Sequence, residues 1–364
     1  MKADIIAALP EEDQKPFGLW WQEMEASLGR DALQVFLIDL AQLHAATGVG
    51  RSAAPSAIDG FSSLTAFTER LKKQAGGLAA FAGAYLPCAL HAFRIASCAE
   101  PYFSSAPGGG IKVDADVNSA LVALKFAVPT KYAREWMPLA MRALMLLDMH
   151  PVRLAEVLRD LERLAAFLCM CQPKAKLREE RYRAVLAELE ACVSGRALPQ
   201  RLHLALEEKA AMRAVCESSN LYKNKKAVEL VLLRLDMALR DDARSVVHGK
   251  LMEEATVEHV LPQDPAADSR WLRDFSEAER EELTHSLGNL LLLAVRTNAK
   301  ASRSDFEEKK RVYFRTRGDS TSSFPDFVVT SSVLGEQKWT PQVVRNRRDD
   351  LLRALYGPKG WRLE

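Results

Sequence analysis

The chain has 364 residues, 48% of them apolar and 27% charged, with a formal net charge of +2. This is the profile of a folded globular protein of two or three domains, and it excludes a disordered chain and a general polycation. Any nucleic-acid binding must then come from local clusters of charge.

The first residues, MKADIIAALPEEDQKPFG, do not read as a signal peptide, because the apolar stretch is short and acids follow it. The longest apolar run, LAAFAGAYLPCALHAF, is interrupted by Gly, Pro and His, so no membrane span is expected. A cytoplasmic protein without membrane association is the expectation. The cysteines Cys88, Cys98, Cys169, Cys171, Cys192 and Cys216 are scattered and form no CxxC pair. They read as buried reduced thiols rather than as a zinc or redox motif.

Helical periodicity dominates from the start to about Asp241. DALQVFLIDLAQLHAATG carries apolar residues at helical spacing and stops at Gly48. A stretch from Ser62 to Glu100 reads as two helices broken at Gly76–Gly77. DVNSALVALKFAV and REWMPLAMRALMLLDM continue the pattern. HPVRLAEVLRDLERLAAFLCMC places Pro151 in a first turn, where its missing N–H is harmless. REERYRAVLAELEACVSG ends on a glycine stop signal, and KNKKAVELVLLRLDMALRDDA is a further amphipathic helix. GVGRSAAPSAIDG and SSAPGGGIKVDADVN read as loops. APGGGIK lacks the Gly-Lys-Ser/Thr ending of a phosphate loop. The fold class expected is mainly α, with an all-α scaffold or regulatory domain over residues 1–241 and an α+β domain over residues 242–364.

The second region opens with TVEHVLPQD, a short Val-rich strand ended by Pro262. RWLRDFSEAEREELTH reads as helix. Gly288 marks a turn, NLLLLAV a second strand, and SDFEEKKRVYF a helix with Ser304 as N-cap and Glu307 in the capping-box position. KWTPQVVRNRRDDLLRALYG is a last helix with Pro341 near its start.

Four residues form one argument: Glu258, His259, Asn289 and Asn298. If the two strands pair and the helix packs across them, Asn298 can approach the end of the first strand. A glutamate oxygen and an asparagine oxygen are hard ligands suited to Mg2+ or Mn2+. A neighbouring neutral imidazole can take a proton from water near neutral pH. Such a set describes a one-metal phosphodiesterase. Lys300, Arg303, Lys309 and Lys310 flank it, with Lys309 the foremost candidate for phosphate contact. The alternative for these cations is a solvated helix face paired with Glu307 and Glu308. Arg345, Arg347 and Arg348 either extend a DNA track or form a charged helix face. His285, just before the turn, reads as structural, with contact to DNA or metal as the alternative, and Trp271 and Trp339 read as core anchors rather than base-stacking platforms.

VEHVLPQ, LGNLLLL and RTNAKAS together resemble the ββα-metal (HNH, or His-Me finger) nuclease motif, including the HNH domain of RNA-guided CRISPR nucleases. The resemblance implies His259 as general base, Glu258 and Asn298 as metal ligands, and Asn289 as the residue that pins the loop behind the site. With Trp271, FEEKKRVY, Trp339 and Arg345 added, residues 251–355 resemble the C-terminal domain of GmrSD-type restriction endonucleases, which include the SspE type acting against phage. This implies a metal-dependent DNA endonuclease (Mg2+ or Mn2+) that leaves a 5′-phosphate, in a restriction or antiviral defence system. Phage, modified or foreign DNA is the implied substrate, and Lys309, Lys300 and Arg303 the implied DNA-binding residues. Two departures stand out: the sensor half's Asp-Gly-Gln-Gln-Arg motif is missing, and Arg303 occupies the place of a second asparagine. An N-terminal sensor domain or a separate sensor subunit is therefore expected, and an oligomer is compatible with the sequence. The competing expectation is a non-catalytic helical interaction or DNA-binding subunit with a degenerate nuclease domain.

Overall fold

A computed structural model of the chain describes residues 2–47, 68–69, 71–73, 77–105, 110–127, 134–172, 174–192, 198–240, 255–294, 303–313 and 327–364. The described residues are mainly helical. The helices are α1 (Lys2–Ala8), α2 (Glu11–Thr47), α3 (Gly77–Ala80), α4 (Leu86–Ala96), α5 (Ala115–Ala127), α6 (Met137–Leu147), α7 (Pro151–Cys171) and α8 (Ala175–Cys192). There follow α9 (Leu206–Cys216), α10 (Lys225–Leu239), α11 (Trp271–Asp274), α12 (Glu277–Leu283), α13 (Phe306–Tyr313), α14 (Val328–Ser331) and α15 (Pro341–Tyr356). Four short strands, β1 (Phe103–Ser105), β2 (Ile111–Val113), β3 (Ala255–His259) and β4 (Leu290–Ala294), form two separate antiparallel pairs.

Two compact units divide the chain. The first comprises Met1–Leu121, Arg134–Leu161 and Lys174–His203; the second comprises Val122–Ala133, Glu162–Pro173 and Leu204–Glu364. The expected boundary at 241/242 does not coincide with this division, since α9 and α10 group with the C-terminal residues. The reason is burial: α10 packs against α15, α14 and β4, and its Val228, Val231, Leu232 and Leu235 are buried. An apolar helical stripe announces a partner without saying which one.

In the first unit, α2 is two helical stretches meeting at Gly29, whose φ of 74° is left-handed backbone that a glycine adopts without a Cβ penalty. Phe36 of α2 meets Phe93 of α4 with ring centroids 5.2 Å apart. Buried carboxylates find cations, as in Arg134 with Asp39 at 2.7 Å and Arg178 with Glu135 at 2.6 Å. The stretch SSAPGGGIKVDADVN, expected as a loop, instead holds β2 and part of β1, paired in register Phe103↔Val113, while its residues 106–109 lie outside the described residues. Strands of three residues are too short to show an alternating pattern, so the sequence hid them.

The apolar run Leu78–Phe93 is also more continuous than its Gly and Pro suggested. A π-helical turn, Phe81–Tyr85, joins α3 to α4, and Leu86 N–H bonds back to the Phe81 carbonyl. Pro87 lies within the joined run, directly after the π turn that accommodates its missing N–H. The joined stretch Gly77–Ala96 is long and apolar enough to cross a membrane by length and composition, and half of it is buried within the structure. Cys169 and Cys216 are buried as expected, whereas Cys88 is exposed.

The second unit is built around β3 and β4, paired from Ala255↔Ala294 to His259↔Leu290. Leu290, Leu291, Leu292 and Leu293 are all buried, which explains their unbroken apolar run. Phe306 and Tyr313 of α13, Trp271 and Trp339 share one core with Leu291 and Leu293. Both tryptophans are thus packing residues. The outer edge of β4 is satisfied by side chains: Thr330 donates to the Leu292 carbonyl at 2.6 Å, and Arg347 to that of Leu290 at 3.1 Å. The Ser276–Glu279 capping box starts α12, and Thr340 caps α15. Helix α13 begins one residue later than expected: Lys309 N–H bonds to the Asp305 carbonyl, so Asp305 rather than Ser304 precedes the first turn.

The turn Leu287–Asn289 lies against α15 so closely that a Cβ on Gly288 would stand 2.1 Å from the Val344 carbonyl oxygen. Backbone cannot yield as a flexible side chain can. Gly288→Ala is therefore expected to destabilise the second unit by about 3 kcal/mol or more. Gly335→Ala, which meets nothing within 4 Å, is expected to change stability by less than about 1 kcal/mol. Urea denaturation of both variants checks this, and equal midpoints would contradict the close approach.

Candidate active site at the end of β3

The end of β3 is held by Asn289. Its side-chain oxygen accepts from Leu261 N–H at 2.7 Å and from Trp339 Nε1–H at 3.1 Å. Its side-chain nitrogen donates to the carbonyls of Leu261 and Thr284, both at 2.9 Å. All four hydrogen-bonding positions of the amide are used on the protein, and the residue is 0% exposed. Asn289 therefore braces the backbone that follows His259 and offers nothing to a substrate.

Glu258 and Lys309 form a buried ion pair. The Lys309 ammonium is 2.7 Å from Glu258 Oε1 and donates at 2.6 Å to the carbonyl of His259. Tyr313 donates its hydroxyl to the same Glu258 oxygen at 3.1 Å. Lys309 and Tyr313 are four residues apart on α13 and so share one face. Burial lowers the Lys309 pKa, opposed by the Glu258 charge and hydrogen bond. The expectation that Lys309 contacts DNA phosphate is thus corrected: its side chain is 1% exposed and committed to β3. A lysine that follows two acids and precedes Lys310 and Arg311 on a short helix looks solvated in sequence, because only the tertiary fold turns it inward.

His259 has a different environment. Its Nε2 lies 3.3 Å from Nδ1 of His285, and its Nδ1 lies 3.4 Å from Nε2 of the exposed Gln263. The Tyr222 ring stands edge-on to His259 at 4.2 Å and stacks on His285 at 5.5 Å with 9° between planes. Tyr222 N–H also donates to the His285 carbonyl at 3.1 Å. The Lys225 ammonium sits 3.6 Å from the centre of the Tyr222 ring. Burial, and then the charges of His285, Lys309 and Lys225, push the His259 pKa down to about 3. The imidazole is therefore neutral at neutral pH and has a lone pair to accept a proton.

The remaining expected residues divide. Asn298 and Lys300 lie outside the described residues. Arg303 is exposed and pairs with Asp264. Lys310 donates to the Glu336 carbonyl. Arg345 pairs with Glu282, and Arg348 with Asp349. Arg347, considered for a DNA track, is buried and donates to the carbonyls of Gly288, Leu290 and Val329. With Glu258 engaged by Lys309 and Tyr313, the described residues do not compose the expected divalent-metal site. Among them no group of three or more His, Cys, Asp or Glu side chains is arranged to hold an ion.

Sequence reasoning missed Tyr222, Lys223 and Lys225, because they lie in the region assigned to the scaffold. The available signal was NLYKNKK, an aromatic residue inside a basic cluster next to a helix start.

Lys309→Met is expected to destabilise the second unit by about 3–5 kcal/mol, because it strands the Glu258 carboxylate in the interior. The double variant Glu258→Gln, Lys309→Met is expected to recover most of that loss. A double-mutant cycle by urea denaturation measures the coupling, and additive losses would show that the pair is not the source of the effect.

Residues 207–354 match the family model described as GmrSD restriction endonucleases, C-terminal domain. The matched span takes in Tyr222, β3, Asn289, α13 and most of α15. The chain matches no curated protein, and it matches no solved structure. Over residues 207–354 this chain is similar to the C-terminal domain of GmrSD restriction endonucleases.

Proposed function

We propose that the chain is a DNA endonuclease of the ββα-metal (HNH) type, acting in a restriction or antiviral defence system, with His259 as general base. The observation that carries this reading is the neutral imidazole of His259 at the end of a braced strand. Its Nδ1 faces the exposed Gln263 side, within the segment that matches a restriction-endonuclease family model. The antiparallel β3–β4 pair, with α13 after it in the chain, supports this reading.

In the proposed reaction a water O–H proton passes to His259 Nδ1 while the water oxygen bonds to phosphorus. The bond from phosphorus to O3′ breaks, its electron pair stays on O3′, and solvent protonates that oxygen, leaving a 5′-phosphate. The imidazolium so formed is disfavoured by burial and nearby cations. The negative charge of a bound phosphate offsets that cost. The resemblance implies an Mg2+ or Mn2+ requirement, and the metal dependence of nicking is the measurement that checks it.

A second reading, a non-catalytic DNA-binding or interaction subunit, draws on one observation: Glu258 is held by Lys309 rather than offered to a metal. Plasmid nicking separates the two. The full chain with supercoiled plasmid and Mg2+ or Mn2+ is expected to nick, EDTA to abolish nicking, and His259→Ala to lower the rate at least about 100-fold with the fold and DNA affinity retained. Full activity of His259→Ala would sink the assignment.

DNA phosphate is assigned to Lys223 and Lys225, with Arg303 as a further contact. Lys223 and Lys225 are exposed beside the Tyr222–His285 stack and lower the His285 pKa after burial. Lys223→Gln, Lys225→Gln is expected to weaken plasmid binding and to reduce the slope of log affinity against log salt by up to about 2. Fluorescence anisotropy at several salt concentrations measures it, and an unchanged slope would move the DNA elsewhere.

A further inference from the structure

The proposed reaction needs His259 in one tautomer, with the lone pair on Nδ1 and hydrogen on Nε2. Two features select it. Gln263 presents its side-chain nitrogen, a donor, to Nδ1 at 3.4 Å. His285 presents Nδ1 to Nε2 at 3.3 Å. With the Gln263 amide donating to Nδ1, the ring hydrogen stands on Nε2 and His285 Nδ1 accepts it; the attacking water takes the place of the exposed Gln263 amide at Nδ1. We infer that His285 is a positioning residue, whose Nδ1 accepts the Nε2 hydrogen of His259 and so fixes the tautomer and ring plane in which His259 Nδ1 takes the proton from water. This rests on the reading of His259 as general base.

His285 is itself fixed for that task. The Tyr222 ring stacks on its face, and Tyr222 N–H anchors its backbone carbonyl. With Nδ1 accepting, the single hydrogen of a neutral His285 sits on Nε2. The nearby Lys223 and Lys225 disfavour a charged ring and so preserve the acceptor. The logic is that of a carboxylate that orients a catalytic histidine, with a neutral imidazole as the acceptor. The electrostatic difference matters: a neutral acceptor orients His259 without adding a negative charge to a site that must admit a phosphate.

The substitutions separate orientation from structure. The side-chain oxygen of asparagine falls close to where histidine Nδ1 stands, so His285→Asn keeps an acceptor while His285→Ala removes it. With supercoiled plasmid, His285→Ala is expected to lower the nicking rate about 100-fold at unchanged plasmid affinity, and His285→Asn to recover at least about a tenth of the wild-type rate. Long-range 1H–15N NMR of the histidine rings supplies a readout independent of activity. His259 is expected to hold hydrogen on Nε2 in the wild type and His285→Asn, and to become a tautomer mixture in His285→Ala. A wild-type His259 with hydrogen on Nδ1, or a His285→Ala variant with unchanged tautomer and full rate, overturns the inference. If His259→Ala also nicks at the full rate, the general-base reading fails with it. If His259→Ala is inactive, only the role of His285 is lost.

Discussion

An ammonium group surrounded by apolar side chains is costly unless charge and hydrogen bonds replace the water it has lost. Lys309 meets that condition in one place, between the Glu258 carboxylate and the His259 carbonyl. Helix α13 therefore cannot slide or turn on the β3–β4 pair without exposing or stranding a charge. The hydroxyl of Tyr313 on the same carboxylate adds a second tie from the same helical face. The packing of Phe306 and Tyr313 into the core supplies the area, and the ion pair supplies the register. The end of β3, where His259 stands, inherits its position from this contact.

Two further polar side chains work in the same way on the other sides of the strand pair. Asn289 ties the segment after β3 to the turn before β4, using every donor and acceptor it has. Arg347 reaches from α15 to three carbonyls around that turn and the β4 edge. Gly288 permits this, because only the absence of a Cβ lets α15 come so near. The site thus stands on backbone groups held by buried side chains. Its open part is the stack of Tyr222 and His285 beside Gln263, with lysines at its rim. A rigid floor and a basic, aromatic rim suit the phosphate approach proposed for this site.

Much of this was legible in the sequence. Val-rich ATVEH and the leucine run LLLL announced paired strands. Gly288 announced a turn, and Pro341 and Ser276 announced helix starts. The side-by-side Glu258 and His259 announced a site. The roles of its members were less legible. Glu258 and Lys309 are fifty-one residues apart, and nothing local distinguishes a lysine facing solvent from one facing a carboxylate. Tyr222 and Lys225 belong to a helical region whose spacing speaks only of helices. The short β1 and β2 strands and the π-helical turn at Phe81–Tyr85 were hidden for a related reason, since three to five residues hold too little periodicity to be read.

By itself the sequence determined which segments are helical, where the strand pair lies, and that His259 ends a strand. These follow from local spacing, turn chemistry and caps, which act over a few residues. Only the tertiary structure decided what surrounds that histidine. The long-range contacts turned Lys309 inward to Glu258, brought His285 to Nε2 of His259, and laid Tyr222 across both rings. The physical reason is that desolvation and hydrogen-bond pairing depend on neighbours in space, and those neighbours are set by how apolar faces pack rather than by their order along the chain.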